Sequence, residues 1–125
     1  MAHLANDLAV TLPEDRPGML AKAIGAVSGA GINLEGYAEL EGVVHVLTPD
    51  VGAARNALEA SGFQIVRQQQ VALVSVEDKP GSAAQVFQKI AKAKVNLTHS
   101  YLATGNRLVI GAKNLESVIE ALGQD

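Results

Sequence analysis

The chain contains two copies of one sequence pattern. The residues D-R-P-G at 15–18 return as D-K-P-G at 78–81, and Asn33-Leu34 returns 63 residues later as Asn96-Leu97. Later correspondences have an offset of 64, which places one additional residue in the second copy near Gly105-Asn106. A collinear series of matches that keeps its register indicates an internal duplication. The sequence therefore predicts two small units built on one plan.

Each copy begins with a predicted strand and a predicted helix. Apolar residues alternate from Leu8 to Leu12, as expected of a half-buried strand, and Val71 to Val76 is the counterpart. After Pro17 the apolar spacing becomes helical, and Gly29 suits the end of that helix. We expect Asp15 to cap this helix, because a carboxylate before the first turn can accept hydrogen bonds from its free amides.

A hairpin and a second helix complete the pattern. The second strand is predicted from about Leu34 to Leu40, with a turn at Glu41-Gly42 and a return strand from Val43 to Thr48. Asp50 and Asn114 are predicted to cap the second helices of the two copies.

The order βαββαβ predicts an α+β fold. It closes into a four-stranded antiparallel sheet with both helices on one face, the ferredoxin-like arrangement. We expect two such modules in tandem, at residues 1–69 and 70–125. The fourth strand of the first module is predicted from Phe63 to about Arg67. We expect the second module to lack that strand, because Asp125 aligns with Ser61.

The missing strand has a predicted consequence. The polar join Gln68-Gln69-Gln70 tolerates an extended conformation, so one long strand could run through both modules. An uncovered edge at Val71 to Val76 would invite pairing. We expect another chain, or the extension of the first module's last strand, to cover it.

The two periodicities also predict which side chains are buried. The expected core positions are Leu20, Ile24, Val27, Val44, Val46, Leu58, Phe87, Ile90, Leu108, Ile110, Val118 and Leu122.

Composition excludes several function classes. The sequence has no cysteine, which removes thiolate catalysis and Cys-ligated metals. A net charge of −3 and 3% aromatic residues argue against RNA or DNA binding, which needs a basic surface or stacking side chains. The N-terminus has no signal-peptide pattern and no segment is apolar enough to span a bilayer, so we expect a cytoplasmic protein that does not engage a membrane.

The sequence contains no catalytic or metal-ligand motif. His3, His45 and His99 have no carboxylate nearby in sequence at ligand spacing, so they are interpreted as sheet-surface histidines rather than metal ligands. No nucleophile–base pattern or phosphate-binding loop is present. An acylphosphatase-like enzyme would have to rely on Arg16 with Asn33, and the second copy has Lys79, which lacks the bidentate geometry of arginine. We expect no catalytic residues, no cofactor and no metal.

The pattern as a whole resembles the ACT domain. A strand, the sequence D-x-P-G, an amphipathic helix and then I-N-L at 32–34 or V-N-L at 95–97 occur in both copies, so the resemblance covers nearly the whole chain. It implies a regulatory module that binds amino acids where paired domains meet, between the first strand-to-helix loop of one module and the second strand of another.

The resemblance implies a set of ligand-binding positions in the two loops and second strands. They are Asp15, Arg16, Pro17, Gly18, Met19, Leu20, Asn33, Leu34 and Glu35, with Asp78, Pro80, Gly81, Ser82, Ala83, Asn96, Leu97 and Thr98 in the second copy. Gly18 and Gly81 could admit a carboxylate to the helix amides, or could simply fit a tight turn. Asn33 and Asn96 could hold a ligand or bond to their own turns.

Two functions fit these features. The first is a non-catalytic regulatory protein that binds a small amino acid, assembles as a homodimer and acts on an enzyme or transporter. The alternative is a protein-interaction or dimerisation module of the same fold without a metabolite ligand. Fold alone does not decide between them.

Overall fold

The computed structural model describes residues 2–123, which divide into two compact units. The first unit is Asn6–Gln69, and the second consists of residues 2–5 and 70–123. The elements in chain order are β1 (Ala2–Thr11), α1 (Met19–Gly29), β2 (Gly36–Leu40), β3 (Val43–Leu47), α2 (Val51–Ala60), β4 (Gln64–Ser75), α3 (Ser82–Lys92), β5 (Leu97–Ala103), β6 (Arg107–Ala112) and α4 (Leu115–Leu122).

In the first unit the strands lie in the order β2-β3-β1-β4. Strand β3 pairs antiparallel with both β1 and β2, and the register sets Leu8 opposite Val46. Side chains alternate across a strand, so one sheet face carries the apolar residues of β1 and β3. Helices α1 and α2 both pack on this face, through Val27 and Leu58 among others. The predicted arrangement of helices on a single face is therefore present in this unit.

The second unit has the strand order β1-β4-β6-β5, in which β1 contributes its first residues and β4 its last. Strand β6 pairs antiparallel with β4 and β5. The core formed by β4, β6, α3 and α4 is centred on Ile90, Ile110 and Val118, and Ala2 of β1 packs against its margin.

The long strand predicted across the Gln68-Gln69-Gln70 join is confirmed as β4. The edge at 70–75 is covered differently from the prediction. Its neighbour is the start of β1, residues 2–5, rather than another chain or an extension of the first copy's last strand. Residues 2–5 thus take the fourth-strand position, and no strand follows α4 before Gly123, the last described residue.

The predicted cap at Asp15 is wrong. Helix α1 begins at Met19, and its N-cap is Gly18 with φ 92° and no side-chain hydrogen bond. The corresponding helix α3 begins after Gly81, whose φ of 89° is nearly the same. A positive φ of this size suits a residue without a Cβ atom. The predicted caps Asp50 and Asn114 are confirmed, since their side chains accept from the amides of residues 53 and 117.

Most of the predicted core positions are buried, but three are only half-buried: Leu20, Ile24 and Phe87. In α1 the buried residues are Met19, Ala23 and Val27, while Leu20 and Ile24 pack against the margin of the core. Within residues 2–123, no helix combines the length and the apolar character needed to cross a membrane.

Candidate functional site

A cavity of about 550 Å³ opens beside the loop that joins β1 to α1. Two loops meet there because the end of β1 and the β2–β3 turn lie at the same end of the first unit's sheet. Leu12 at the end of β1 donates its amide to the Gly42 carbonyl of the turn, at 2.7 Å. The lining residues are Leu12, Glu14, Asp15, Arg16, Gly18, Met19, Leu20, Glu39, Glu41 and Gly42.

The start of α1 forms one wall of this cavity. The first amides of a helix have no partner within the helix, and together with the helix dipole they favour a negatively charged group. Here Gly18 supplies no capping side chain, and its carbonyl accepts from the Lys22 amide at 2.9 Å. A ligand carboxylate could therefore approach this helix end without displacing a side-chain cap.

The polar lining is predominantly acidic. The lining includes four acidic residues, Glu14, Asp15, Glu39 and Glu41, and one basic residue, Arg16. Arg16 forms an ion pair with Glu14. Glu39 accepts a hydrogen bond from the Gly42 amide at 2.9 Å, which fixes its carboxylate beside the turn.

The cavity contains five of the nine site residues predicted in the first copy, namely Asp15, Arg16, Gly18, Met19 and Leu20. Pro17, the remaining loop residue, is exposed and does not line it. Met19 is almost fully buried at 4% exposure and is first of all a core residue.

The three second-strand positions of the first copy lie elsewhere. Asn33 is exposed in the segment before β2, and Leu34 packs against the hydrophobic core. The Glu35 amide donates to the Leu47 carbonyl at 2.8 Å, which begins the β2–β3 pairing. None of these three residues lines the cavity beside the β1–α1 loop.

Sequence reasoning missed the hairpin residues Glu39, Glu41 and Gly42. The predicted topology could have placed these residues beside the β1–α1 loop. In the order βαββ, the end of the first strand and the turn between the second and third strands lie at the same end of the sheet. The predicted turn at Glu41-Gly42 is confirmed, with both residues at positive φ.

In the second unit the predicted residues are divided between two cavities. Ser82 lines a cavity of about 240 Å³ beside the β4–α3 loop, together with Lys79, which was not among the predicted site residues. Asn96, Leu97 and Thr98 line another of about 410 Å³ near the start of α4.

The other predicted residues of the second copy line neither cavity. Asp78, Pro80 and Gly81 are exposed, and Ala83 packs at the margin of the core. The second loop is therefore not a duplicate of the first site.

Although no carboxylate lies near His45 in sequence at ligand spacing, the fold brings the carboxylate of Asp7 beside it. The Nδ1 atom of His45 lies 2.7 Å from Oδ2 of Asp7, and the side chains are 16% and 1% exposed. The register of β1 and β3, with Ala9 opposite His45, brings the two residues together on the sheet face away from the helices. Thirty-eight residues separate them in sequence, so spacing along the chain could not reveal the pair.

His99 lies in the second unit, on strand β5. Its ring stacks with Tyr101 at a centroid distance of 6.1 Å, and its Nδ1 is 3.0 Å from the Thr98 hydroxyl. The ring also lies over Gly111 of β6, where a Cβ atom would overlap it. Glycine at 111 therefore makes room for the imidazole.

Several solved structures resemble this chain. A Bacteroides thetaiotaomicron protein superimposes with a TM-score of 0.82 at 26% sequence identity, covering 98% of this chain and 89% of its own. The regulatory subunit of aspartate kinase from Thermus thermophilus gives 0.65 at 19% identity, covering 98% and 95%. The corresponding subunit from Thermus flavus gives 0.64 at 20% identity, covering 99% and 94%. No protein-family model matches the sequence, and no curated protein matches it significantly.

These similarities identify the fold class of the chain. The chain has the mixed fold, with six strands and four helices in its described part, of the ACT-type regulatory domains of aspartate kinases. The resemblance drawn from the twice-occurring D-x-P-G loop is confirmed at the level of fold. The neighbours named here as aspartate kinase subunits are regulatory rather than catalytic.

Proposed function

We propose that this chain is a non-catalytic regulatory protein made of two ACT-like modules, residues 1–69 and 70–125, that binds a small amino acid. The observation that carries the proposal is the cavity at the first D-x-P-G loop. Its volume of about 550 Å³ lies within the range typical of small-molecule sites. It combines an uncapped helix start, suited to a carboxylate, with acidic side chains suited to an ammonium group.

The regulatory role is supported by the structural neighbours, two of which are regulatory subunits of aspartate kinase. A binding domain acts on a second protein only if the ligand favours one of two arrangements of the pair. The regulated partner would accordingly be an enzyme or transporter that contacts the ACT-like modules.

We also propose a homodimer. The edge strand β2 of the first unit presents Tyr37 and Leu40, which are 51% and 74% exposed. An apolar sheet edge with free backbone groups is a natural pairing surface. The same edge favours the alternative function, a protein-interaction module without a metabolite. Sedimentation of the parent and of Leu40→Lys tests the dimer, which the added charges should weaken.

Isothermal titration calorimetry with the common amino acids tests ligand binding. Glu39 lies on an edge strand beside the cavity, so Glu39→Trp should fill the site and abolish binding. Leu102 occupies the equivalent position of the second copy and is 62% exposed, so Leu102→Trp is the matched control and should bind like the parent. Absence of binding to every amino acid at millimolar concentration would favour the interaction module. Binding that survives Glu39→Trp would place the ligand outside this cavity.

A further inference from the structure

The second unit has a basic cavity at the end of its sheet opposite the β4–α3 loop. Strand β6 ends there and β5 begins there, since Leu97 lies opposite Ala112 in their antiparallel pairing. The cavity has a volume of about 410 Å³, within the range typical of small-molecule sites. It is lined by residues 93–98, which join α3 to β5, and by Lys113, Asn114 and Ser117 at the start of α4.

The charged residues of this lining are two lysines, Lys94 and Lys113, and its lining residues include no acidic side chain. Within residues 2–123, neither lysine forms an ion pair, whereas Lys79 at the other end of the unit pairs with Glu77. The acidic residue Glu120 lines an adjoining depression instead. Two positive charges at one cavity create a local potential that favours an anion.

Lys94 occupies a backbone conformation that glycine favours. Its φ is 59°, in the left-handed region, and its amide donates to the Ala91 carbonyl at 2.9 Å, which fixes the turn after α3. The equivalent residue of the first copy is Gly31, with φ 77°. A side chain at positive φ costs conformational free energy that glycine avoids, and the Lys94 side chain is exposed rather than packed in the core. Such a residue points to a role of the side chain other than folding.

The first copy of the sequence pattern does not have this basic set. Gly31 and Pro49 occupy the positions equivalent to the two lysines, and Glu35 occupies the position of Thr98. The two units also differ in charge as a whole. Residues 70–123 contain six basic and four acidic residues, whereas the first unit contains four basic and eight acidic residues. The basic cavity is therefore a feature of the second copy and not of the duplicated pattern.

We infer that the basic cavity binds the phosphate group of a small phosphorylated metabolite. A phosphate monoester carries close to two negative charges at neutral pH, which matches the two lysines, and its three terminal oxygens accept several hydrogen bonds. A single carboxylate carries one charge and would leave one lysine uncompensated. The inference is independent of the amino-acid site proposed at the first loop.

The neutral residues of the lining supply donors for the phosphate oxygens. Asn96 and Asn114 carry side-chain amides, and Thr98 and Ser117 carry hydroxyls. The Oδ1 atom of Asn114 accepts from the Ser117 amide at 3.1 Å, which holds the Asn114 side chain in place and leaves its NH₂ group as the donor end.

The apolar part of the lining suits the organic portion of such a ligand. Val95 and Leu97 are half-buried and pack against the core of the second unit. They lie in the same segment as Lys94, so a ligand whose phosphate contacts the lysine can rest its carbon skeleton on these two side chains. A phosphomonoester with an apolar group should therefore bind more tightly than inorganic phosphate.

Calorimetry and amide NMR titrations with inorganic phosphate, phenyl phosphate and malonate test the inference. We expect both phosphate probes to bind at millimolar concentration and to shift the amide signals of residues 94–98 and 113–117. Malonate also carries two negative charges, but it divides them between two planar groups and should bind more weakly. Affinity for the phosphate probes should fall as salt concentration rises, because the lysines are exposed.

Two charge-removing variants locate the site. Lys94→Gly and Lys113→Gln should each lower the affinity for phenyl phosphate by up to about fivefold, the range of an exposed charge pair. Lys94→Gly should not lower the melting temperature, because glycine suits the positive φ at this position. The control is Lys92→Gln, which removes the same charge from the last turn of α3 outside the lining and should bind like the parent.

Three results would each overturn the inference. The first is absence of binding by both phosphate probes at millimolar concentration. The second is an equal loss of affinity in Lys92→Gln and Lys94→Gly, which would mean that only the general charge of the unit attracts the anion. The third is malonate binding as tightly as the phosphate probes. Amino-acid binding at the first loop should be unchanged in all three lysine variants, so its own test with Glu39→Trp is unaffected.

Discussion

The imidazole of His45 and the carboxylate of Asp7 lie 2.7 Å apart, joining strand β3 to strand β1 within the first unit. Asp7 is almost completely buried, at 1% exposure. A buried carboxylate is costly unless hydrogen bonds compensate for its lost hydration. Substitutions at Asp7 should therefore be tolerated less well than exchanges between aliphatic residues around it.

Removing the carboxylate at position 7 should destabilise the fold. We expect Asp7→Ala to lower the free energy of unfolding by about 2 kcal/mol, because the His45 ring loses a charged partner and a small gap is left. Asp7→Asn retains an acceptor and should cost less. Urea denaturation measures both, and Asp78→Ala, which removes an exposed carboxylate, is the control. Equal stabilities for Asp7→Ala and Asp78→Ala would show that the pair contributes nothing.

The corrected helix caps give a second prediction. Asp50 accepts from the Ala53 amide at 3.1 Å, whereas Asp15 caps no helix. Asp50→Ala should lower the free energy of unfolding by about 1 kcal/mol, and Asp15→Ala should change it by less than about 0.5 kcal/mol. Thermal and urea unfolding of the two variants distinguish the assignments. A larger loss for Asp15→Ala would restore the cap expected from sequence.

Local patterns in the sequence were sufficient for much of the fold. The hairpin turn at Glu41-Gly42 and the caps at Asp50 and Asn114 depend on a few neighbouring residues, and the structure has them as expected. The cap expected at Asp15 failed because a glycine three residues later adopts positive φ and begins the helix there. The spacing of apolar residues cannot predict a backbone conformation of this kind.

Features that depend on strand register were harder to predict from the sequence. The pairing of Asp7 with His45 requires knowing that Ala9 lies opposite His45, and a shift of one residue would turn the side chains to the other face. The grouping of Glu39 with the β1–α1 loop follows from topology and could have been predicted. The role of residues 2–5 could not, because four residues carry too little periodicity to predict a strand of the second unit.

Leu58 of α2 provides a test of the first unit's core. Its side chain is fully buried among residues of α1 and the sheet. Leu58→Ala should lower the free energy of unfolding by about 3 kcal/mol, the loss expected when a buried leucine leaves a cavity. Leu102→Ala removes the same atoms from a side chain that is 62% exposed and should cost less than about 0.5 kcal/mol. A loss of similar size in both would mean that α2 does not pack as described.

The contribution of residues 2–5 to the second unit gives the last prediction. These residues neighbour β4, and Ala2 packs against the margin of the core that contains Ile110. Removing residues 1–5 should expose the edge at 70–75, so the amides of Val71 to Val74 should exchange faster with solvent and the protein should self-associate. Hydrogen exchange and sedimentation velocity measure the two effects.

A variant in which residues 2–5 are replaced by Gly-Ser-Gly-Ser keeps the chain length and separates strand pairing from the mere presence of a tail. It should behave like the deletion if side-chain packing holds the strand, because glycine and serine are poor strand formers. A Leu4→Thr variant places a β-branched residue, which favours a strand, at an exposed position and should exchange like the parent. Unchanged exchange at 71–74 after the deletion would show that this edge is protected by something other than the start of β1.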